Sequence, residues 1–457
     1  MFIGREQELG KLNEMYASEK YEMAVIYGRR RVGKSELINH FCKGKKAVFF
    51  TAVENTEAHN LNILVESILK AHHTTTIPRD FLQALDLITE IARNEKLIFV
   101  IDEYPYLAKS AKYFSSLLQR HIDNYFSKTN CMIILCGSSM SFMENQVLGY
   151  KSPLYGRRTA QFKIEPFNYI ETAKFVPNYS REDKLLTYGI FGGTPFYLAQ
   201  IDSKKSLQEN VQKLFFTNGG LLLEEPASLI KQELREPLVY NGILTAIANG
   251  STRLSEISAR VNKPTNQCDI YLKNLISLGL VYREKPLDEK SSTKSLYVIS
   301  DNMFRFWFRY VQDNMSLITR GFGGQATESI WPKLSEYMGK AFEDICIQYL
   351  WENYNNLPLQ PQGIGRWWGN NPVEKREDEI DIVATQNDSA LFAECKYTTK
   401  PIGIDYLAEL ERKSNLFKKT IANKYFYFFG KSGFTEQLIQ KSKENKNIKL
   451  IDLSDLI

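Results

Sequence analysis

The sequence predicts a multidomain α/β chain. A parallel-sheet core is expected over residues 1–165, helices over 166–235 and three short helices with a hairpin over 236–300. A connector over 301–330 and a second α/β unit over 331–457 complete it. Three observations carry this reading. Short apolar runs alternate with helix-length stretches in the first third, the pattern of a doubly wound parallel sheet. A glycine-rich turn, Gly28-Arg29-Arg30-Arg31-Val32-Gly33-Lys34-Ser35, sits between the first such run and the first helix. Near the C-terminus two apolar strands carry acids at their ends, Glu379–Ala384 and Leu391–Tyr397.

The elements follow in order. Met23–Tyr27 is apolar, partly β-branched and ends at Gly28, so it reads as a buried strand entering a turn. Ser35–Phe41 reads as a helix. Strands are expected at Ala47–Thr51, Leu97–Ile101, Met132–Cys136 and Gln161–Ile164. Ile170–Phe175 and Ser206–Phe215 are helical, with Gly192-Gly193-Thr194-Pro195 punctuating them. Gly242–Ala248, Leu254–Val261 and Pro264–Leu278 are three short helices. Val281–Lys285 and Ser295–Ile299 are β-like around a polar loop, and this order is that of a winged helix-turn-helix. The glycines at 321, 323 and 324 give 301–330 the composition of a connector. A helix at Leu334–Tyr349, strands at Glu379–Ala384 and Ala390–Tyr397, a helix at Tyr406–Lys418 and strands at Tyr425–Phe429 and Ile448–Asp452 complete the chain.

Composition excludes several classes. With 457 residues, 43% hydrophobic and 24% charged, the chain is neither disordered nor fibrous. No apolar run approaches the ~20 residues that span a bilayer, so no membrane partner is expected. Met1-Phe2-Ile3-Gly4-Arg5-Glu6 lacks the basic and apolar regions of a secretory signal. The six cysteines form no C-x-x-C, and a cytoplasmic location is expected. The net charge of +5 lies wholly in Lys396–Ile457, which holds twelve basic against seven acidic residues. All histidines lie between His40 and His121. A metal in the rest of the chain would therefore need oxygen ligands, which suit Mg²⁺ or Mn²⁺.

The glycine-rich turn fits G-x-x-x-x-G-K-[ST], whose backbone N–H groups cradle phosphates. Gly28, Arg31, Val32 and Gly33 would form the cradle, Lys34 would reach the β- and γ-phosphates of ATP, and Ser35 would ligate Mg²⁺. Leu97–Ile101 ends in Asp102, which would hold Mg²⁺, and Glu103, which would orient and deprotonate the attacking water. Ser138, at the end of the next strand, either senses the γ-phosphate or serves ordinary turn chemistry. Arg157 and Arg158 either stabilise the charge of phosphoryl transfer, in trans within a homo-oligomer, or form a solvated loop pair.

Phe2–Glu6, the P-loop with its Arg-Arg-Val, Ile101–Leu107, Ser152–Arg158 and Gly192–Leu198 together resemble the archaeal-type ATPase family, a prokaryotic branch of P-loop ATPases related to AAA+ and STAND proteins. The resemblance implies a P-loop ASCE ATPase core and a helical lid containing Gly193–Pro195. It also implies contact of Phe2–Arg5 with adenine, Glu103 as the catalytic glutamate and, often, a C-terminal nuclease-like domain.

In the second acidic strand Glu394 and Lys396 are two apart and share a face, while Ala393 and Cys395 face the core. Charges on one face of an apolar strand are costly unless used or solvated. If the Glu379–Ala384 strand pairs beside it, Asp381 converges with Glu394 to hold Mg²⁺ or Mn²⁺, and Lys396 would orient water or stabilise the transition state. This D…E-x-K pattern resembles the PD-(D/E)xK nuclease superfamily, and that resemblance implies Glu343 as the helical acid. Ile380 stands where that superfamily often has proline before the acid. Lys413 is a weaker candidate, and Glu379 is expected in solvent. Lys418, Lys419, Lys424, Lys431, Lys441 and Lys443 either track a phosphodiester path or form a solvated face. Trp367 and Trp368 either stack on bases or pack. The segment 241–290 has seven basic against five acidic residues, which is weak for a DNA reader, so its third helix either contacts DNA or serves as a packing element. The expected function is ATP binding and hydrolysis coupled to metal-dependent cleavage of nucleic acid, DNA before RNA. The alternative is a nucleotide-operated switch that binds without cutting.

Overall fold

The computed structural model describes residues 2–287, 294–372, 374–417 and 421–457. It divides into two compact units: residues 1–166 with 194–196, and residues 167–193 with 197–457.

The first unit is a five-stranded sheet: β1 (Glu22–Tyr27), β2 (Ala47–Thr51), β3 (Ile98–Asp102), β4 (Met132–Gly137) and β5 (Ala160–Lys163). The order is β2-β3-β4-β1-β5, with every pair parallel. Strands β1, β3 and β4 are buried at every residue, which explains why they read as continuous apolar runs. Their side chains alternate between two cores. Met23, Val25, Phe99, Ile101, Ile133 and Leu135 fill one. Ala24, Ile26, Ile98, Val100, Ile134 and Cys136 fill the other. The carboxyl ends of β1, β3 and β4 therefore meet at one edge, the end at which such sheets bind ligands.

In the second unit, helices Pro237–Ala248, Leu254–Val261 and Thr265–Ser277 precede an antiparallel hairpin, β6 (Val281–Glu284) and β7 (Leu296–Ile299). The connector expected over 301–330 is instead a run of short helices, from Asn302–Phe306 to Gly323–Ile330, that buries Phe304, Phe306, Phe308, Val311 and Ile318. Its glycines mislead as linker signals. A Cβ on Gly323 would lie 1.6 Å from the Phe216 carbonyl oxygen, so glycine there permits close packing.

The C-terminal sheet is mixed, in the order β12-β11-β10-β9-β8. Strands β8 (Gly363–Asn371), β9 (Arg376–Gln386) and β10 (Ser389–Lys396) form an antiparallel meander, and β11 (Asn423–Gly430) and β12 (Ile448–Asp452) run parallel to β10. The Leu334–Glu352 helix packs with Leu391 and Ala393 on one face. The Ile404–Ser414 helix packs with Ala390 and Phe392 on the other. All six cysteines are free, and all but Cys42 are buried. No helix among the described residues is long and apolar enough to cross a membrane.

Candidate functional site

The phosphate site is built by the turn between β1 and the Lys34–Cys42 helix. Gly28 has φ +154°, and a Cβ there would lie 2.3 Å from the Ile164 carbonyl oxygen. Gly33 has φ +89°. Both conformations suit glycine. Val32 is fully buried and anchors the loop in the core. Lys34 Nζ donates to the carbonyls of Gly28 and Arg29, each at 2.9 Å. Burial lowers the Lys34 ammonium from its ordinary value, against the pull of Glu103 and Asp102.

The Ser35 hydroxyl donates to Asp102 Oδ2 at 2.7 Å, so the two expected Mg²⁺ ligands already converge. A hydroxyl beside a carboxylate is a hard-oxygen donor set that fits Mg²⁺. Glu103 follows in the left-handed region, φ +50°, held by its N–H donating to Asp102 Oδ1 at 2.9 Å. Its carboxylate accepts from the Ser138 hydroxyl at 2.9 Å and the Ser138 N–H at 3.3 Å. Ser138 thus fixes the orientation of Glu103.

Three contacts escaped the sequence reading. Arg5, buried and in the left-handed region, donates to the carbonyls of Val32 at 3.1 Å and Glu165 at 2.6 Å, tying the N-terminal segment to the P-loop. Phe2 stacks on His40, with ring centroids 4.1 Å apart. Arg31 lies over the Phe196 ring at 4.5 Å, and the 194–196 strip belongs to the first unit. A cavity of about 370 Å³ is bounded by Arg30, Arg31, Lys34, Ser35, Glu103 and Phe196. Arg157 and Arg158 do not line it. Arg157 makes a bidentate pair with Asp123 at 2.9 and 2.7 Å, and Arg158 lies over the Tyr155 ring at 5.9 Å.

In the second unit, Asp381, Glu394 and Lys396 meet as their spacing predicts. Asp381 and Glu394 are buried, and Lys396 Nζ lies 3.8 Å from Asp381 Oδ2 while also bonding Glu394 Oε1. The Cys395 N–H donates to Asp381 Oδ2 at 2.8 Å. Lys413 Nζ is 3.9 Å from Glu394 Oε2. Burial raises Glu394, with Asp381 adding to it, and the two acids raise the Lys396 ammonium against burial. Two buried carboxylates on adjacent strands are oxygen donors suited to a hard cation, and the ammonium now stands between them.

Glu343 does not join them. It is held by Arg366 Nε at 3.1 Å and Lys340 Nζ at 3.4 Å, and among the described residues no group of three or more His, Cys, Asp or Glu is arranged to hold a metal. Burial pushes Glu343 up to about 7. Arg366 was missed because β8 was, whereas Lys340 lies one turn before Glu343 on the predicted helix. Strand β8 reads Gly-Ile-Gly-Arg-Trp-Trp-Gly-Asn-Asn, and glycine is a poor strand former. Trp367 and Trp368 are buried, so they pack. Glu379 is largely exposed, as expected, and Arg366 bonds it at 3.1 Å. Lys424 donates to Ser414 and Asn415, Lys431 pairs with Glu182, and Lys418 and Lys419 lie outside the described residues. On the third helix of the 236–300 segment, Lys273 pairs with Asp269 at 2.7 Å, which offsets charge on that face.

Comparison with known proteins agrees with this geometry. Residues 2–201 match the family described as an ATPase domain predominantly from Archaea, and residues 307–425 match archaeal and bacterial proteins of unknown function. An uncharacterized protein of Methanocaldococcus jannaschii, MJECL04, is 35% identical over all of both chains. An uncharacterized ATP-binding protein of the same organism, MJ0423, is 44% identical over 46 residues, 10% of this chain and 78% of that one. The Walker-type ATPase PABY2304 of Pyrococcus abyssi superposes with a TM-score of 0.52 at 20% identity, over 67% of this chain and 96% of that one. The family implies ATP and Mg²⁺ as ligands, which the Lys34, Ser35 and Asp102 arrangement fits. The chain belongs to the archaeal-type P-loop ATPase family, with an ATP-binding ATPase core followed by a C-terminal mixed-sheet domain.

Proposed function

We propose that ATP turnover in the first unit governs phosphodiester cleavage of nucleic acid, DNA before RNA, by a PD-(D/E)xK-like domain in the second. The observation that carries this reading is the meeting of Asp381, Glu394 and Lys396 on β9 and β10. The meander followed by two parallel strands, with a helix on each face, supports it.

At the ATP site, Lys34 leaves its carbonyl partners to meet the β- and γ-phosphates, and the P-loop N–H groups cradle them. Mg²⁺ held by Ser35 and Asp102 would neutralise phosphate charge. Glu103, oriented by Ser138, accepts the proton of the attacking water. At the second site, Asp381 and Glu394 would hold Mg²⁺ or Mn²⁺, which lowers the pKa of bound water. Lys396, displaced from between them, supports the charge that develops on the phosphate. The three helices and hairpin of 237–299 act as a winged helix that positions DNA or a partner. Arg158, with Arg157 engaged by Asp123, is the arginine left for a neighbouring copy in a homo-oligomer.

A second reading, a nucleotide-operated switch that binds nucleic acid without cutting, draws support from Glu343, which is held away from the other acids. The deciding experiment supplies plasmid DNA, single-stranded DNA and RNA with Mg²⁺ or Mn²⁺, with and without ATP. Cleavage by wild type but not by Asp381→Ala or Lys396→Ala supports the nuclease. Salt-sensitive binding without cleavage, with ATP hydrolysis intact, supports the switch.

A further inference from the structure

Within the second unit lies a cavity of about 290 Å³ that contains none of Asp381, Glu394 and Lys396 in its lining. One wall is apolar and aromatic, built from Ile247 and Val298 with Tyr310 and Tyr337. Four cations also line it: Arg305, Arg309, Lys340 and Arg366, against one acid, Glu336. Lys340 and Arg366 are already neutralised by Glu284 and Glu343, with Asp344 on Lys340 and Glu379 on Arg366. Arg309 donates to the neutral side chain of Asn249 at 2.6 Å.

Arg305 is the anomaly. Its side chain is 10% exposed, yet none of its three guanidinium nitrogens makes a hydrogen bond among the described residues. Its nearest acid, Asp344, is 3.9 Å away and also serves Lys340 at 3.3 Å. The Tyr337 ring lies 5.3 Å from the guanidinium carbon. Buried polar groups are almost always paired, and a guanidinium carries five donors that match an oxyanion. A buried guanidinium that makes no hydrogen bond, a second arginine with a neutral partner, and two tyrosine rings in one cavity together describe a receptor for an anion with a flat body.

We propose that this cavity binds a small phosphorylated ligand of the nucleoside monophosphate class, its phosphate on Arg305 and Arg309 and its base against Tyr310 and Tyr337. The site is separate from the P-loop and shares no residue with it. Asp344 is shared by Arg305 and Lys340, so a phosphate on Arg305 leaves Asp344 to Lys340, weakens the hold of Lys340 on Glu343 and loosens Glu343 toward Asp381 and Glu394. That coupling rests on the nuclease reading. The binding itself does not, so the two fail separately.

The test is calorimetric titration of the full chain, in a Lys34→Ala background that disables the P-loop, with AMP, adenosine and inorganic phosphate. AMP is expected to bind, phosphate at least tenfold more weakly, and adenosine not measurably. Arg309→Ala, a half-buried position, is expected to weaken AMP at least tenfold. Arg305→Met is expected to do the same without lowering the thermal midpoint of the free protein, because the guanidinium makes no hydrogen bond there. A merely structural arginine would lower that midpoint. Failure of both AMP and phosphate to bind, or AMP affinity unchanged in both variants, overturns the proposal. Equal affinity for AMP and phosphate overturns the part assigned to the tyrosines. If AMP binds as expected and still leaves cleavage unchanged, the coupling to Glu343 falls and the binding site stands.

Discussion

Replacing Lys396 by Met tests the second site without any assay of cleavage. The Lys396 ammonium lies against two carboxylates whose side chains are 8% and 10% exposed. Removing one partner of a buried charge cluster ordinarily costs roughly 3 to 5 kcal/mol. Protonation sets a lower ceiling here. Glu394 has an ordinary value of 4.5, so taking up a proton at pH 7 costs about 3 kcal/mol at 1.36 kcal/mol per pH unit. A carboxyl whose folded value is raised binds a proton on folding, so the penalty is full above that value and fades as pH falls. At pH 5 the ceiling is under about 1 kcal/mol by the same arithmetic. In EDTA at pH 7 the variant's second unit should therefore melt roughly 5 to 10 °C below wild type, and most of that gap should close at pH 5. Saturating Mg²⁺ should also close it at pH 7, because a divalent cation then takes the ammonium's place between the acids. Differential scanning calorimetry or thermal circular dichroism reads all three conditions. Equal melting in EDTA at pH 7 would refute the charge-coupled pair. A deficit that Mg²⁺ and Mn²⁺ leave untouched would refute the cation site.

Three further outcomes follow from the first unit. Gly28→Ala places a Cβ 2.3 Å from the Ile164 carbonyl oxygen. Overpacking on that scale costs about 1 to 3 kcal/mol, so the variant should melt lower and bind ATP at least tenfold more weakly by fluorescent-nucleotide titration. Ser138→Ala removes the shorter of the two bonds that orient Glu103. A net loss of about 1.5 kcal/mol should lower kcat for ATP roughly tenfold with KM nearly unchanged, measured as phosphate release; a rise in kcat would mean that Ser138 holds Glu103 out of action. Arg157→Ala breaks an exposed pair with Asp123. It should cost no more than about 1 kcal/mol in a denaturant titration and leave ATP hydrolysis within twofold; a hundredfold loss would restore Arg157 as a charge stabiliser.

The ATP site was legible because its chemistry is local. Gly28 to Ser35 form one turn, and Asp102 and Glu103 end a strand whose five residues are all buried. Strand-end acids beside a P-loop have one place to go when the sheet is parallel. Asp381, Glu394 and Lys396 were legible for a similar reason, since the two-residue period and a short hairpin fix their convergence. What escaped depends on packing at long range. Arg366 sits on a glycine-rich strand with no strand signal, and its partners Glu284, Glu343 and Glu379 come from three other elements. Lys340, three residues before Glu343 on a predicted helix, announces one of its partners, but nothing near position 343 announces Arg366. The 301–330 segment failed in the opposite way, because glycines that admit a neighbouring backbone carry the same composition as glycines that give flexibility.

The free cysteines give each unit its own chemical clock. Burial pushes Cys131, just before β4, Cys136, on β4, and Cys346 and Cys395, beneath the second site, above the ordinary thiol range. The reactive thiolate is therefore scarce at all four positions until the surrounding core opens. Alkylation at those positions, read peptide by peptide in the intact chain, reports the opening of each core separately. Cys42, half-buried on the P-loop helix, is also pushed up by burial, to about 11, so its rate is read against the unfolded chain like the others. A ligand that steadies one unit should slow its pair alone, and one that couples the two should slow both.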